Sequence, residues 1–216
     1  MNIHILCLNI LVILFTLIPA SLVGTIFNFP GMERFKNNKN NFFKAFMYLL
    51  IFQVICIFIM NNKLFEIHFP KDNMFYIIAL IFIPIAILIE IIIGCIVVKL
   101  KGNKISKISF FKSNKLDKSI IINTVVIAFI EELLFRQIWI NILHGYFEIN
   151  IYIVILISSL AYAINHISMG FNVIVQKFVT GVLYATLYLL SGSIIIPIIT
   201  HCIQNYVVMK VGASDE

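Results

Sequence analysis

The chain has 216 residues, of which 61% are hydrophobic and 12% charged, with a formal net charge of +6 and a mean hydropathy of +1.03. A soluble globular protein carries about 45–50% apolar and about 25% charged residues, so this composition excludes a water-facing exterior and turns most of the surface toward lipid. Thirteen of the sixteen Lys and Arg lie between Arg34 and Lys118, in or beside short polar segments, a layout of topology signals and anionic-lipid contacts that speaks against a nucleic-acid partner.

Apolar runs cover about 3–27, 42–60, 75–98, 119–143, 149–166, 173–190 and 193–210. They are continuous rather than alternating, and only helices or a closed barrel span lipid, so an all-α bundle is expected. At roughly 20 apolar residues per span, about seven transmembrane helices with short loops fill the length. That leaves a single membrane domain over 1–216, with three spans and basic loops in 1–118 and a four-helix core in 119–210. The first run has Ala20 and Ser21 near its end, as a signal peptide would. It has no Lys or Arg before it and continues to about Phe27, so it reads as a span.

The first polar break carries Arg34, Lys36, Lys39 and Lys44, and the third carries seven lysines from Lys99 to Lys118. The second, between Asn61 and Asn73, holds only Lys63 and Lys71 beside Glu66 and Asp72. Breaks one and three are therefore expected in the cytoplasm, with the N-terminus outside and the C-terminus inside. The cysteines (Cys7, Cys56, Cys95, Cys202) stand singly in apolar runs and form no C-x-x-C, which reads as packed thiols.

Ionisable residues inside a span cost at least about 2.5–3.5 kcal/mol near its centre, so each is a functional candidate. The later runs concentrate ionisable and amide side chains: Glu131, Glu132 and Arg136 in the fourth, Asn165 and His166 at the end of the fifth, His201 and Asn205 in the seventh. Counted from the expected cytoplasmic side, these groups fall at comparable depth in the membrane centre and cytoplasmic half. Glu132 and Arg136 are four apart, in the favourable order for an ion pair. His201 and Asn205 are also four apart, so both are expected to face one cavity. Glu131 is rotated about 100° from Glu132, which lets one carboxylate face a cavity while the other is held by Arg136.

The chemistry that fits is water activation. A carboxylate withdrawn from water serves as general base, a nearby histidine shares or relays the proton, and an asparagine amide with a second histidine donates to the oxyanion of a tetrahedral intermediate. No Ser or Cys nucleophile is needed, and Cys202 points about 100° from His201.

Three short motifs carry a resemblance. Glu131-Glu132-Leu133-Leu134-Phe135-Arg136 resembles the E-E-x-x-x-R motif of the CPBP family, the CAAX proteases and bacteriocin-processing enzymes, also called Abi. Tyr162 to His166 is similar to its F-x-x-x-H, with Tyr for Phe, and His201 to Asn205 to its H-x-x-x-N. The stretch from Gly181 to Pro197, with Tyr184 and Ser191-Gly192-Ser193, also resembles the run-up to the third motif. The likeness covers about 119–208, with motif order and spacing kept. It implies a glutamate-dependent intramembrane endopeptidase in which Glu131 activates water with His166, His201 and Asn205 bind the oxyanion, and Glu132, Arg136 and Tyr162 support the site. The phenol of Tyr162 adds a hydroxyl that must find a partner. In a bacterial cell membrane, the expected location, the family's roles are maturation of bacteriocins or peptide signals, or immunity. The expected partners are lipids and a membrane-associated peptide or protein substrate.

Plainer readings compete. Glu132–Arg136 is also a helix-stabilising pair, His166 an interfacial residue, and His201 with Asn205 an interhelical hydrogen-bonding pair. Glu90 reads as packed on the core, and Lys177 as snorkelling toward the headgroups. His144 and Glu148 read as interfacial, and His4 and His68 earn no role. Two histidines and a glutamate could hold zinc with an open position, but no H-E-x-x-H occurs, so neither a metal nor another cofactor is expected. A noncatalytic membrane scaffold or immunity protein is the alternative function. A proton-coupled transporter would need an inverted repeat or paired broken helices that the sequence does not offer.

Overall fold

The computed structural model describes residues 3–27, 39–102 and 118–214. Most of the first and third polar breaks, including Arg34, Lys36, Lys104, Lys107, Lys112 and Lys115, lies outside the described residues. Among those described there is no strand. Every apolar run has become helix: α1 (Ile3–Thr16), α2 (Pro19–Phe27), α3 (Lys39–Met60), α4 (Met74–Leu100), α5 (Lys118–Glu132), α6 (Ile151–Ile164), α7 (Phe171–Ser191) and α8 (Ile195–Ser214). Short 3₁₀ turns follow α3 at Asn62–Phe65 and α6 at Ile167–Met169.

The chain inverts the usual distribution of polarity. On α4, Leu80, Leu88, Ile92 and Ile96 are all exposed, whereas Glu131, Glu132, Arg136, Thr180, Thr200, His201 and Gln204 are buried. In water this arrangement would sacrifice apolar burial and desolvate charges together. In lipid it is what backbone and side-chain polar groups require. The molecule is a membrane protein.

Three helices are long and apolar enough to cross a membrane, at Asn40–Met60, Met74–Leu100 and Phe171–Ser191. A fourth crossing results if Ile3–Thr16 and Pro19–Ile26, bent by 53°, count as one. The seven apolar runs thus correspond to helices without each being a full straight span. The 14 residues of α6 extend about 21 Å against a hydrocarbon core of about 30 Å. The run after Lys118 stays helical to Tyr146 but widens twice into π-helix, at Leu133–Ile138 and Asn141–Tyr146.

α5 packs against α3 and α8, α7 against α4, α6 and α8, and α4 also meets α8. Two local features fix this. Gly181 on α7 lies where a Cβ would come within 3.1 Å of Ser159 Cβ and 3.2 Å of Tyr162 Cδ1, so the missing side chain brings α7 onto α6, as small residues do in membranes. Gly192, at φ +66°, ends α7 in the left-handed region with its N–H on the Tyr188 carbonyl, which turns the chain directly into α8. The Asn61–Asn73 connection is tied down by Gln137 Nε2 on the Glu66 carbonyl at 2.7 Å and Ser193 Oγ on the His68 carbonyl at 2.6 Å.

Candidate active site

A cavity of about 140 Å³ opens between the helices, large enough for several water molecules. Glu131 from α5, His166 from the turn after α6, and Asn205 from α8 all line it. Carboxylate, imidazole and amide thus reach one space from three separate segments. Thr124, Asn165, Ser168 and Lys177 add polar groups, while Phe42, Phe43 and Phe46 of α3 with Val208 and Met209 make an apolar wall. The His166 ring is held by its Nδ1 at 3.1 Å from the Tyr162 carbonyl, which leaves Nε2 as the ring nitrogen without a hydrogen bond among the described residues.

Glu132 points elsewhere. Its Oε1 lies 2.8 Å from His201 Nδ1 and its Oε2 lies 3.2 Å from Arg136 Nε, in an ion contact whose angle falls outside hydrogen-bonding range. Arg136 is fully buried, with its guanidinium carbon 4.5 Å from the Tyr162 ring centroid and 5.5 Å from that of Tyr184. Its Nη2 donates to the Gly181 carbonyl at 3.3 Å. A guanidinium tolerates such burial because it is weakly hydrated and stacks on aromatic faces. Tyr184 stacks on His201 at 4.8 Å between centroids and donates its hydroxyl to Gln204 Oε1.

His201 departs from the expected arrangement. It does not share the cavity with Asn205: its Nδ1 is on Glu132, its Nε2 is 3.3 Å from the Tyr162 hydroxyl, and 1% of it is exposed. The two residues are four apart, but the ring stacked on Tyr184 is drawn toward the Glu132 side. The Tyr162 phenol, an oddity in the sequence, finds its partner here.

Lys177 is likewise not a snorkelling side chain. It lines the cavity, with 15% of its side chain exposed, and pairs with Glu90 Oε1 at 2.7 Å. Glu90 is a counter-ion, and its carbonyl also accepts from Gln176 Nε2 at 2.7 Å. A lone Lys near a helix start reads as a headgroup residue, and a pairing that spans 87 residues leaves no local mark. Cys202 Sγ rests 3.5 Å from the Val125 carbonyl, a packed thiol. His144 Nδ1 lies 2.9 Å from the Ile149 carbonyl in the turn before α6. Among the described residues no group of three His, Cys, Asp or Glu side chains is arranged to hold a metal ion.

Sequence reasoning gives no role to Gln204 or the α3 phenylalanines, no packing role to Gly181, and no pairing of Lys177 with Glu90. Gln204 stood inside the third motif as a visible signal, one residue before Asn205. Phe42, Phe43 and Phe46 belong to an ordinary apolar run, which carries no signal of a cavity wall.

No curated protein and no solved structure matches the chain. A family model described as type II CAAX prenyl endopeptidase Rce1-like matches residues 118–207, the stretch that supplies Glu131, His166 and Asn205. By that match and by its three motifs in order, residues 118–207 of this membrane protein are similar to the Rce1-like type II CAAX prenyl endopeptidases.

Proposed function

We propose that the chain is an intramembrane endopeptidase that hydrolyses a peptide bond of a membrane-associated peptide or protein with water activated by Glu131. The observation that carries this is the single cavity shared by Glu131, His166 and Asn205. In the first step Glu131 takes a proton from water, whose oxygen bonds to the scissile carbonyl carbon. The carbonyl oxygen becomes an oxyanion that accepts from the Asn205 amide. The C–N bond then breaks, and the proton held by Glu131, relayed through His166, goes to the leaving amine. The products are a carboxyl end and an amine, and no covalent enzyme intermediate forms.

Glu132, Arg136, Tyr162 and His201 hold the helices that present these groups. The likeness to the CPBP motifs makes His201 an oxyanion donor, but its place beside Glu132 favours a supporting role. The apolar wall of Phe42, Phe43 and Phe46 suits an apolar substrate segment. The matching family is described as a CAAX prenyl endopeptidase, but in a bacterial membrane the role proposed is maturation of a bacteriocin or peptide signal, or immunity. The chain sits with its N-terminus outside and its C-terminus in the cytoplasm.

The test is reconstitution of the wild type and Glu131→Ala in lipid vesicles with a pool of apolar, fluorophore-labelled peptides, and mass spectrometry of the products. Cleavage by the wild type and none by a folded Glu131→Ala is the expected result. Equal product from both would defeat the glutamate mechanism. No product from a folded wild type would leave the noncatalytic scaffold as the better reading.

A further inference from the structure

The break between α1 and α2 is held by side chains of three other segments. Pro19 lacks an N–H and its ring prevents α1 from running on, which frees backbone groups on both sides. In an apolar surrounding each unpaired group costs several kcal/mol. Gln53 of α3 donates Nε2–H to the Phe15 carbonyl at 2.6 Å, and Trp139 donates its indole N–H to Thr16 Oγ1 at 2.8 Å. Asn165 serves both sides at once: Oδ1 accepts from the Ala20 N–H at 3.3 Å, and Nδ2 donates to the Leu17 carbonyl at 3.1 Å. Its second amide hydrogen goes to Ala161 O, at 3.0 Å between heavy atoms. Only an amide can donate and accept in this way; Asp would accept alone and Leu would do neither.

Asn165 is 5% exposed and immediately precedes His166. Ala20, Asn165, His166 and Glu131 line the same cavity, and α2 packs against the Ile167–Met169 turn. The imidazole therefore sits on a short stretch between the end of α6 and that turn, anchored on one side by the Asn165 amide, which bonds the backbone of a broken helix that lies outside the family-matched segment.

We propose that Asn165 is a positioning residue for His166, and that the broken α1–α2 pair is the fixed point to which it ties the imidazole. The kinetic part of the test rests on the peptidase reading, and the spectroscopic part does not. Full-length protein in lipid nanodiscs, ¹⁵N-labelled at histidine, is compared as wild type, Asn165→Leu, Asn165→Asp, Pro19→Ala and the Asn165→Leu/Pro19→Ala double variant. The His166 resonance is assigned by its loss in His166→Gln.

In Asn165→Leu the His166 signal is expected to shift or broaden while that of His201 stays. On a labelled apolar peptide pool, kcat per folded molecule is expected to fall about ten- to hundredfold, the scale of a small misplacement of a reacting group, with KM changed less than about twofold. Asn165→Asp is expected to fall between, and it stands in if Asn165→Leu does not fold. Pro19→Ala, at a residue that does not itself line the cavity, is expected to move the same resonance and to add nothing in the double variant, as for one coupled unit.

An unmoved His166 signal in the folded Asn165 variants, or fully additive effects with Pro19→Ala, would overturn the proposal. A wild type that cleaves no peptide while its His166 signal still responds to Asn165 would defeat the peptidase reading and leave the positioning role standing. Wild-type kcat in a folded Asn165 variant would do the reverse.

Discussion

Two adjacent glutamates on one helix lead into two unlike regions of the molecule. On one side of α5, Glu131 meets a cavity with His166 and Asn205 across it. On the other, Glu132 meets Arg136 and His201 in a sealed cluster walled by Tyr162 and Tyr184. Burial does not separate them, since Glu131 is 3% exposed and Glu132 0%. What separates them is whether the carboxylate has a built-in partner or an open space. A buried charge with partners secures the fold, and one facing a cavity with room for water is placed for chemistry. The 100° between consecutive residues is enough to send one kind of side chain to both.

Breaking the sealed side should give the largest effect on stability. Glu132→Gln removes the counter-charge from a fully buried Arg136, and loss of one member of a buried pair costs about 3–5 kcal/mol. A fall of that size in thermal or denaturant unfolding in detergent is expected, and an unfolding midpoint equal to wild type would contradict the sealed-cluster description. On the cavity side, Asn205→Ala should lower kcat about 10²–10³-fold, the usual loss of one oxyanion donor, while the unfolding midpoint stays within error. His201→Ala sharpens the contrast, since it should lower stability more than Asn205→Ala does. The opposite order would place His201 on the cavity side. The smallest effect concerns the seam between the regions: Gly181→Ala puts a methyl 3.1 Å from Ser159 Cβ and should cost about 1–3 kcal/mol of unfolding free energy as overpacking, with KM unchanged.

The helical class and the positions of the helices were legible because lipid permits so few solutions that continuous apolar runs suffice. So were Glu131, His166 and Asn205 as candidates, since a polar group in an apolar run has to be explained. Less legible was what each faces. Spacing of four puts His201 and Asn205 on one side of α8, but whether a ring turns to the cavity or to Glu132 depends on Tyr162 and Tyr184, which arrive from other helices. The π-helical turns after Glu132 leave no mark in composition or periodicity. Lys177 and Glu90 were seen singly, and their pairing is a tertiary fact between α4 and α7. The run 3–27 reads as one span, so neither the bend at Pro19 nor the three side chains that occupy it was legible.

The most direct measurement is the rate of peptide hydrolysis per folded molecule for Glu131→Gln and Glu132→Gln, taken side by side in vesicles with the wild type. Glu131→Gln should fold as the wild type does and lose about 10²–10⁴-fold in rate, as expected for removal of a general base, while Glu132→Gln should lose folded protein and keep far more of its rate per folded molecule. A folded Glu131→Gln that cleaves at the wild-type rate would contradict the division between the two glutamates.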